Sequence, residues 1–265
     1  MLLQKRLPQI ISSITMIPKI IHYCWFGGNP LPLLAKKCIE SWKKYLPDYE
    51  IKEWNEDNFD VNIITYTKEA YSAKKYAFVS DYARFWILHK YGGLYFDTDV
   101  ELINPIDDIL ANGGYLGFEK NPSSKARGLV NPGIGFASEK GNVILKDLID
   151  LYSSLHFLDE SGNLCMNKTV VHYTTDILQK YGLSNVLATQ KICGFTIYPE
   201  DYFSPISLVT HRLHLTENTR SIHRFMGSWD TKNSSIKEII RNLLPEWLLL
   251  LYNRFSFSRK KKLFN

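Results

Sequence analysis

The stretch that constrains this chain most is the junction at Tyr91-Gly92-Gly93. Upstream of it, Ala77, Phe78, Tyr82, Phe85 and Leu88 recur at helical spacing, which predicts a helix over Ser72–Tyr91 that the two glycines stop. Downstream, Leu94–Ile103 reads as a strand interrupted by acids. The same alternation runs along the chain. Strands are predicted at Ile17–Phe26, Glu50–Trp54, Tyr115–Phe118, Gly133–Ala137 and Phe195–Tyr198, and helices at Leu33–Tyr45, Asn142–Ser153 and Thr174–Tyr181. Strands separated by helices predict a layered α/β fold with a mainly parallel sheet, whose loops at the carboxyl ends of the strands hold the ligand.

The 265 residues suffice for one domain with its own core. Five of the 32 basic residues follow Asn253 with no acid among them, so the rest of the chain carries 27 basic and 27 acidic side chains. A neutral body argues against a nucleic-acid-binding face. The four cysteines lack the pairing of disulfide scaffolds or metal knuckles and are read as reduced. In residues 1–15, Pro8, Ser12, Ser13 and Thr15 break any signal-peptide core, so this segment reads as an extension and the protein is expected in the cytosol. Residues 16–233 are expected to form the catalytic domain. In residues 234–265, Ile236, Ile239, Ile240, Leu243, Trp247, Leu250 and Leu251 make an apolar stripe that ends in the basic run. That tail reads as an interfacial helix for an anionic membrane surface on the cytoplasmic side, or as a stripe packed on the domain.

The segment richest in chemistry is Tyr91 to Val100, which holds Asp97 and Asp99. Two acids two apart on a strand share a face, which costs repulsion unless a divalent cation sits between them or the strand ends there. Hard oxygen ligands favour Mg²⁺ or Mn²⁺. In the preceding helix Asp81 and Arg84 are three apart and share a face with Ala77 and Leu88, so they read as an ion pair on the apolar side. At the end of the first strand, Trp25 followed by Phe26-Gly27-Gly28 offers an aromatic ring for a planar base and glycines for close ligand approach. Near the C-terminus, His223, Ser228 and Trp229 offer an imidazole, a hydroxyl and an indole N–H that could close over a diphosphate.

The ordered combination of Ile17-Pro18-Lys19-Ile20-Ile21-His22 with Trp25-Phe26-Gly27, Ser80-Asp81-x-x-Arg84, Tyr91-Gly92-Gly93-x-Tyr95-x-Asp97-x-Asp99 and Ser228-Trp229 resembles the DxD-containing sugar-transferase family 32 of glycosyltransferases. That family includes the yeast initiating α-1,6-mannosyltransferase and capsular polysaccharide transferases, and is related distantly to the large clostridial glucosylating toxins. The resemblance implies a GT-A fold and retaining transfer of a hexose from a nucleotide-diphosphate sugar, UDP-sugars favoured. It implies Mn²⁺ or Mg²⁺ and a glycan or lipid-linked oligosaccharide acceptor in capsular or cell-surface polysaccharide synthesis. By the same resemblance Trp25 would stack on the base and Asn58 would touch the nucleoside, while Ser80, Asp81 and Arg84 would hold donor sugar and phosphate. Tyr95 would join the donor-binding set, Asp97 would contact ribose and sugar, and Ser228 and Trp229 would hold the diphosphate. Asp97 and Asp99 would bind the metal, with His223 at the place of an acidic metal ligand in the toxins. Transfer onto a protein side chain, a non-catalytic nucleotide-sugar or glycan-binding module, and a haloacid-dehalogenase-type phosphatase are the other readings a bare DxD allows.

Overall fold

The computed structural model describes residues 16–119, 128–165, 168–207, 210 and 212–226. The tail at 234–265 and the extension at 1–15 lie outside the described residues. The elements run β1 (Ile20–Cys24), α1 (Leu33–Tyr45), β2 (Glu50–Trp54), α2 (Thr65–Ser72), α3 (Tyr76–Tyr91), β3 (Gly93–Tyr95) and β4 (Val100–Leu102). They continue through α4 (Asp107–Leu110), β5 (Gly114–Glu119), β6 (Leu129–Val130), β7 (Phe136–Ser138), α5 (Val143–Ser153) and α6 (Val170–Lys180). Last come β8 (Gln190–Ile192), β9 (Phe195–Tyr198), α7 (Glu200–Phe203) and β10 (Ser221–His223).

The main sheet has the order β2-β1-β3-β7-β5-β9-β8, with β6 paired to β5. It is mixed rather than mainly parallel: β1 runs parallel to β2 and β3, and β5 to β9, while β7 is antiparallel to both β3 and β5. Because β7 opposes both neighbours, β1, β3 and β5 point the same way and end along one rim. Successive strand residues face opposite sides, which builds two cores. Cys24, Tyr95, Leu116, Phe136 and Ile197 pack with α3 and α5 on one side, and Tyr23, Leu94, Phe96, Tyr115 and Tyr198 pack with α1 on the other. Helices flanking a mixed sheet is the α/β architecture that the GT-A resemblance implies.

Helix α3 is the central helix, buried on most of its circumference. It begins at Tyr76 rather than Ser72. A separate helix, α2, precedes it, and Lys74 at φ 57° breaks the chain between them. The predicted strand Gly133–Ala137 is also two pieces, a 3-10 turn at Pro132–Ile134 and then β7.

The largest departure concerns the strand expected at Leu94–Ile103. It divides into β3 and β4, and β4 leaves the main sheet to pair antiparallel with β10. Helix α1 anchors the departing strand: Trp42 Nε1 donates to the Val100 carbonyl at 2.7 Å, and the Leu102 N–H donates to Ser41 Oγ at 2.9 Å. Asp97 and Asp99 therefore sit in the turn between strands, closed by the Val100 N–H donating to the Asp97 carbonyl at 3.0 Å. Turn geometry, and not strand alternation, brings the two acids together.

Candidate active site

Three parallel strands deliver functional groups to one rim: Trp25 follows β1, Asp97 and Asp99 follow β3, and Glu119 ends β5. In open α/β sheets this is where ligands bind.

Arg84 rises from α3 between two carboxylates, with one terminal nitrogen 3.1 Å from Asp81 Oδ1 and the other 3.0 Å from Asp97 Oδ1. Tyr95, fully buried, donates its hydroxyl to the same Asp97 oxygen at 3.1 Å. Burial works against the charge on Arg84, yet Asp97, Tyr95 and Asp81 hold its pKa above the ordinary value. Burial pushes the Asp81 carboxyl up to about 7 despite the adjacent guanidinium. It also raises Asp97, where Arg84 pulls the other way and Asp99 adds to the rise. The helix spacing thus puts Asp81 and Arg84 on one buried face, as expected, and α3 aims that pair at the acidic turn.

Asp99 is held on three sides. Its Oδ2 accepts from the Met226 N–H at 2.8 Å, its carbonyl accepts from the Arg224 N–H at 2.9 Å, and its Oδ1 lies 3.2 Å from His223 Nε2. The antiparallel register that sets His223 opposite Val100 carries this imidazole across 124 residues of chain. Burial opposes the charge on Asp99, but His223 and the backbone donors outweigh it and leave the carboxyl below its ordinary pKa. For His223 burial also opposes charge, and Asp99, Asp97 and Glu119 together raise its pKa.

One ligand atom from each of Asp97, Asp99 and His223 lies within 4.8 Å of the others. Two carboxylates and an imidazole form a donor set that could hold a divalent cation, so the three residues expected as ligands converge.

A wall that the sequence reading missed completes the site. Asn131 Oδ1 accepts from the Gly133 N–H at 2.7 Å, and its Nδ2 donates to Glu119 Oε2 at 2.5 Å. A side chain at Gly133 would come within 2.5 Å of Asp97 Oδ2, so the backbone itself closes that side. The signal available in sequence is Asn131-Pro132-Gly133-x-Gly135, a turn composition that overlaps the start of the strand predicted at Gly133–Ala137.

The remaining expected residues are placed unevenly. Trp25 is half-buried at the rim with Nε1 donating to the Asn29 carbonyl at 2.5 Å. Ser80 Oγ donates back to the Tyr76 carbonyl at 3.3 Å. Asn58 is occupied by its own turn, accepting from the Asn55 N–H at 3.0 Å and donating to the Glu53 carbonyl at 2.9 Å. Ser228 and Trp229 lie outside the described residues.

Residues 32–115 match the family described as "Glycosyltransferase sugar-binding region containing DXD motif", a span that contains α3 and the Asp97–Asp99 turn. Over that span the chain is similar to the DXD-containing glycosyltransferases. The chain is 28% identical to inositol phosphoceramide mannosyltransferase 1 of Schizosaccharomyces pombe over 272 aligned positions, covering 95% of this chain and 77% of the relative. It is 31% identical to mannosyltransferase 3 of that series over 145 positions, covering 50% of this chain and 36% of the relative. It thus spans about a third of one relative and about three quarters of the other. Among solved structures, the PaToxG glycosyltransferase is similar at a TM-score of 0.46 and 20% identity, covering 62% of this chain and 69% of its own. A glycosyltransferase involved in glycosylation of the major capsid of PBCV-1 is similar at 0.45 and 12%, covering 85% and 100%. Glu119, Asn131 and His223 all fall beyond the family-matched span, although they border the same site.

Proposed function

We propose that this protein is a metal-dependent, retaining glycosyltransferase that moves a hexose from a nucleotide-diphosphate sugar to a hydroxyl of a glycan or lipid-borne acceptor. The convergence of Asp97, Asp99 and His223 beside the Asp81–Arg84 pair carries the reading. The mannosyltransferase relatives weight the sugar toward mannose, and their inositol phosphoceramide acceptors weight the acceptor toward a polar-headed lipid.

Cleaving a glycosyl-phosphate bond places negative charge on the departing diphosphate, so the site must supply fixed positive charge there. Asp97, Asp99 and His223 would hold a divalent ion, which would supply that charge as a Lewis acid when bound. Arg84 has both terminal nitrogens engaged by carboxylates, and in this proposal it aligns Asp97 for the metal and Asp81 for the sugar. Asp81 keeps one oxygen clear of Arg84, and with its pKa near 7 it can accept from or donate to a sugar hydroxyl. Trp25, beside glycines on the neighbouring strand end, suits the base.

The test is release of nucleoside diphosphate from a panel of UDP-hexoses and GDP-mannose with Mn²⁺, with NMR assignment of the anomer formed. Turnover that stops in excess chelator is expected. Turnover indifferent to chelator overturns the metal, and none on any donor overturns the proposal.

A further inference from the structure

Glu119 is the last residue of β5 and pairs with Leu129 of β6. Its Oε2 accepts from Asn131 Nδ2 at 2.5 Å, and Asn131 in turn fixes Gly133 against Asp97. Among the described residues no lysine or arginine pairs with this half-buried carboxylate, and its Oε1 has no hydrogen-bond partner. Burial raises its pKa, while the charge on His223 and the Asn131 bond pull it down. Among the described residues the second oxygen of this carboxylate is therefore accessible to an incoming donor.

The strand order assigns that capacity a direction. Along the rim Trp25 comes first on β1, the metal acids next on β3, and Glu119 last on β5, two strand spacings or about 10 Å beyond β3. If Trp25 takes the base and the acids after β3 take the diphosphate, as proposed above, the sugar would continue along the rim toward β5. Asp81 and Arg84 approach from α3, so the β5 side is where a second molecule enters.

We infer that Glu119 is the acceptor-side residue of the site, its open oxygen taking a hydrogen bond from the incoming hydroxyl. The inference rests on the transferase reading above. In hydrolysis, water takes the place of that hydroxyl. Its oxygen bonds to the anomeric carbon, the bond from that carbon to the diphosphate breaks with the electron pair leaving on the diphosphate, and the surplus proton goes to the diphosphate.

The experiment compares full-length wild type with Glu119→Gln, which keeps an oxygen to accept from Asn131 and removes only the charge and the strong acceptor. The probe is whichever of GDP-mannose or the UDP-hexoses the wild type hydrolyses with Mn²⁺. The variant is expected to lose at least about tenfold in the hydrolysis kcat, the size typical of a positioned hydrogen-bonding group, while donor Kd and the Mn²⁺ requirement stay within twofold. An unchanged kcat overturns the assignment and leaves Glu119 as a support for Asn131. A donor Kd that weakens in step with the rate also overturns it, because Glu119 would then belong to the donor. A wild type that hydrolyses no nucleotide sugar overturns the transferase reading and this inference with it, a result distinct from a defect confined to the variant.

Discussion

Arg84 holds two carboxylates at once, Asp81 on its own helix and Asp97 on the acidic turn, because a planar guanidinium presents several donors in a fixed fork. Lysine brings one point charge on a flexible stem and cannot span both. In Arg84→Lys, turnover is expected to fall at least about tenfold with the fold retained, since one acid loses its alignment. A steady-state assay beside a thermal melt checks this, and wild-type turnover would make the fork dispensable. Asp81, Arg84, Asp97 and Asp99 were legible in the sequence because each pair is local, set by helix spacing or by a three-residue motif. Asn131 and Glu119 were not, because their roles come from a contact 12 residues apart in the chain and from where β5 ends beside β3.

At the scale of elements, the glycines between α3 and β3 explain why so short a junction works. Gly92 caps α3 at φ 70°, its N–H donating to the Leu88 carbonyl. Gly93 at φ 101° lies so close to β1 that a Cβ would stand 2.6 Å from the Ile20 carbonyl and 3.3 Å from His22 Nε2. Gly93→Ala would pay for both the positive φ and the clash, a loss of roughly 2–3 kcal/mol. Urea melts check this: the midpoint should fall, and an unmoved midpoint would show that β3 can shift away from β1. Helix α1 was legible at both ends, with Pro32 before it and a Cys38, Ile39, Trp42 stripe along its buried face. Helix α2 was not, because its eight residues lack a side-chain cap hydrogen bond and a long apolar period. Strand β10 is three residues long and is defined by its partner β4 rather than by composition.

At the scale of the molecule, His22 ties the layers together. It lies on β1, contacts the Gly92 carbonyl through Nε2 at 3.1 Å, and accepts from Trp54 Nε1 of β2 through Nδ1 at 3.0 Å. An imidazole that accepts there must be neutral. Burial lowers its pKa to about 4, the Gly92 contact opposes this and Lys52 adds to it. Its folded pKa lies below the unfolded value of 6.5, so the unfolded chain binds the proton first and stability is lost as pH falls from 6.5 toward 4. Between pH 7 and pH 5 the loss is about 2 kcal/mol. In His22→Gln that part of the slope should vanish, so denaturant melts of both proteins at the two pH values provide the check. An identical slope would remove His22 as the cause.

What the sequence determined by itself is the acid–arginine core of the site and the α/β class of the fold. The helix–strand alternation specifies an α/β layer structure, and the spacings of Asp81, Arg84, Asp97 and Asp99 place two acid-bearing pairs within reach of one another. These are local facts, set by spacings of two to four residues. Only the tertiary structure decided that the acidic strand breaks into a turn. It also decided that β7 enters antiparallel between β3 and β5, and that His223 and Glu119 arrive at the rim. Each of those outcomes depends on which strand lies beside which, a competition among backbone hydrogen bonds and buried faces distant in sequence that no local pattern encodes.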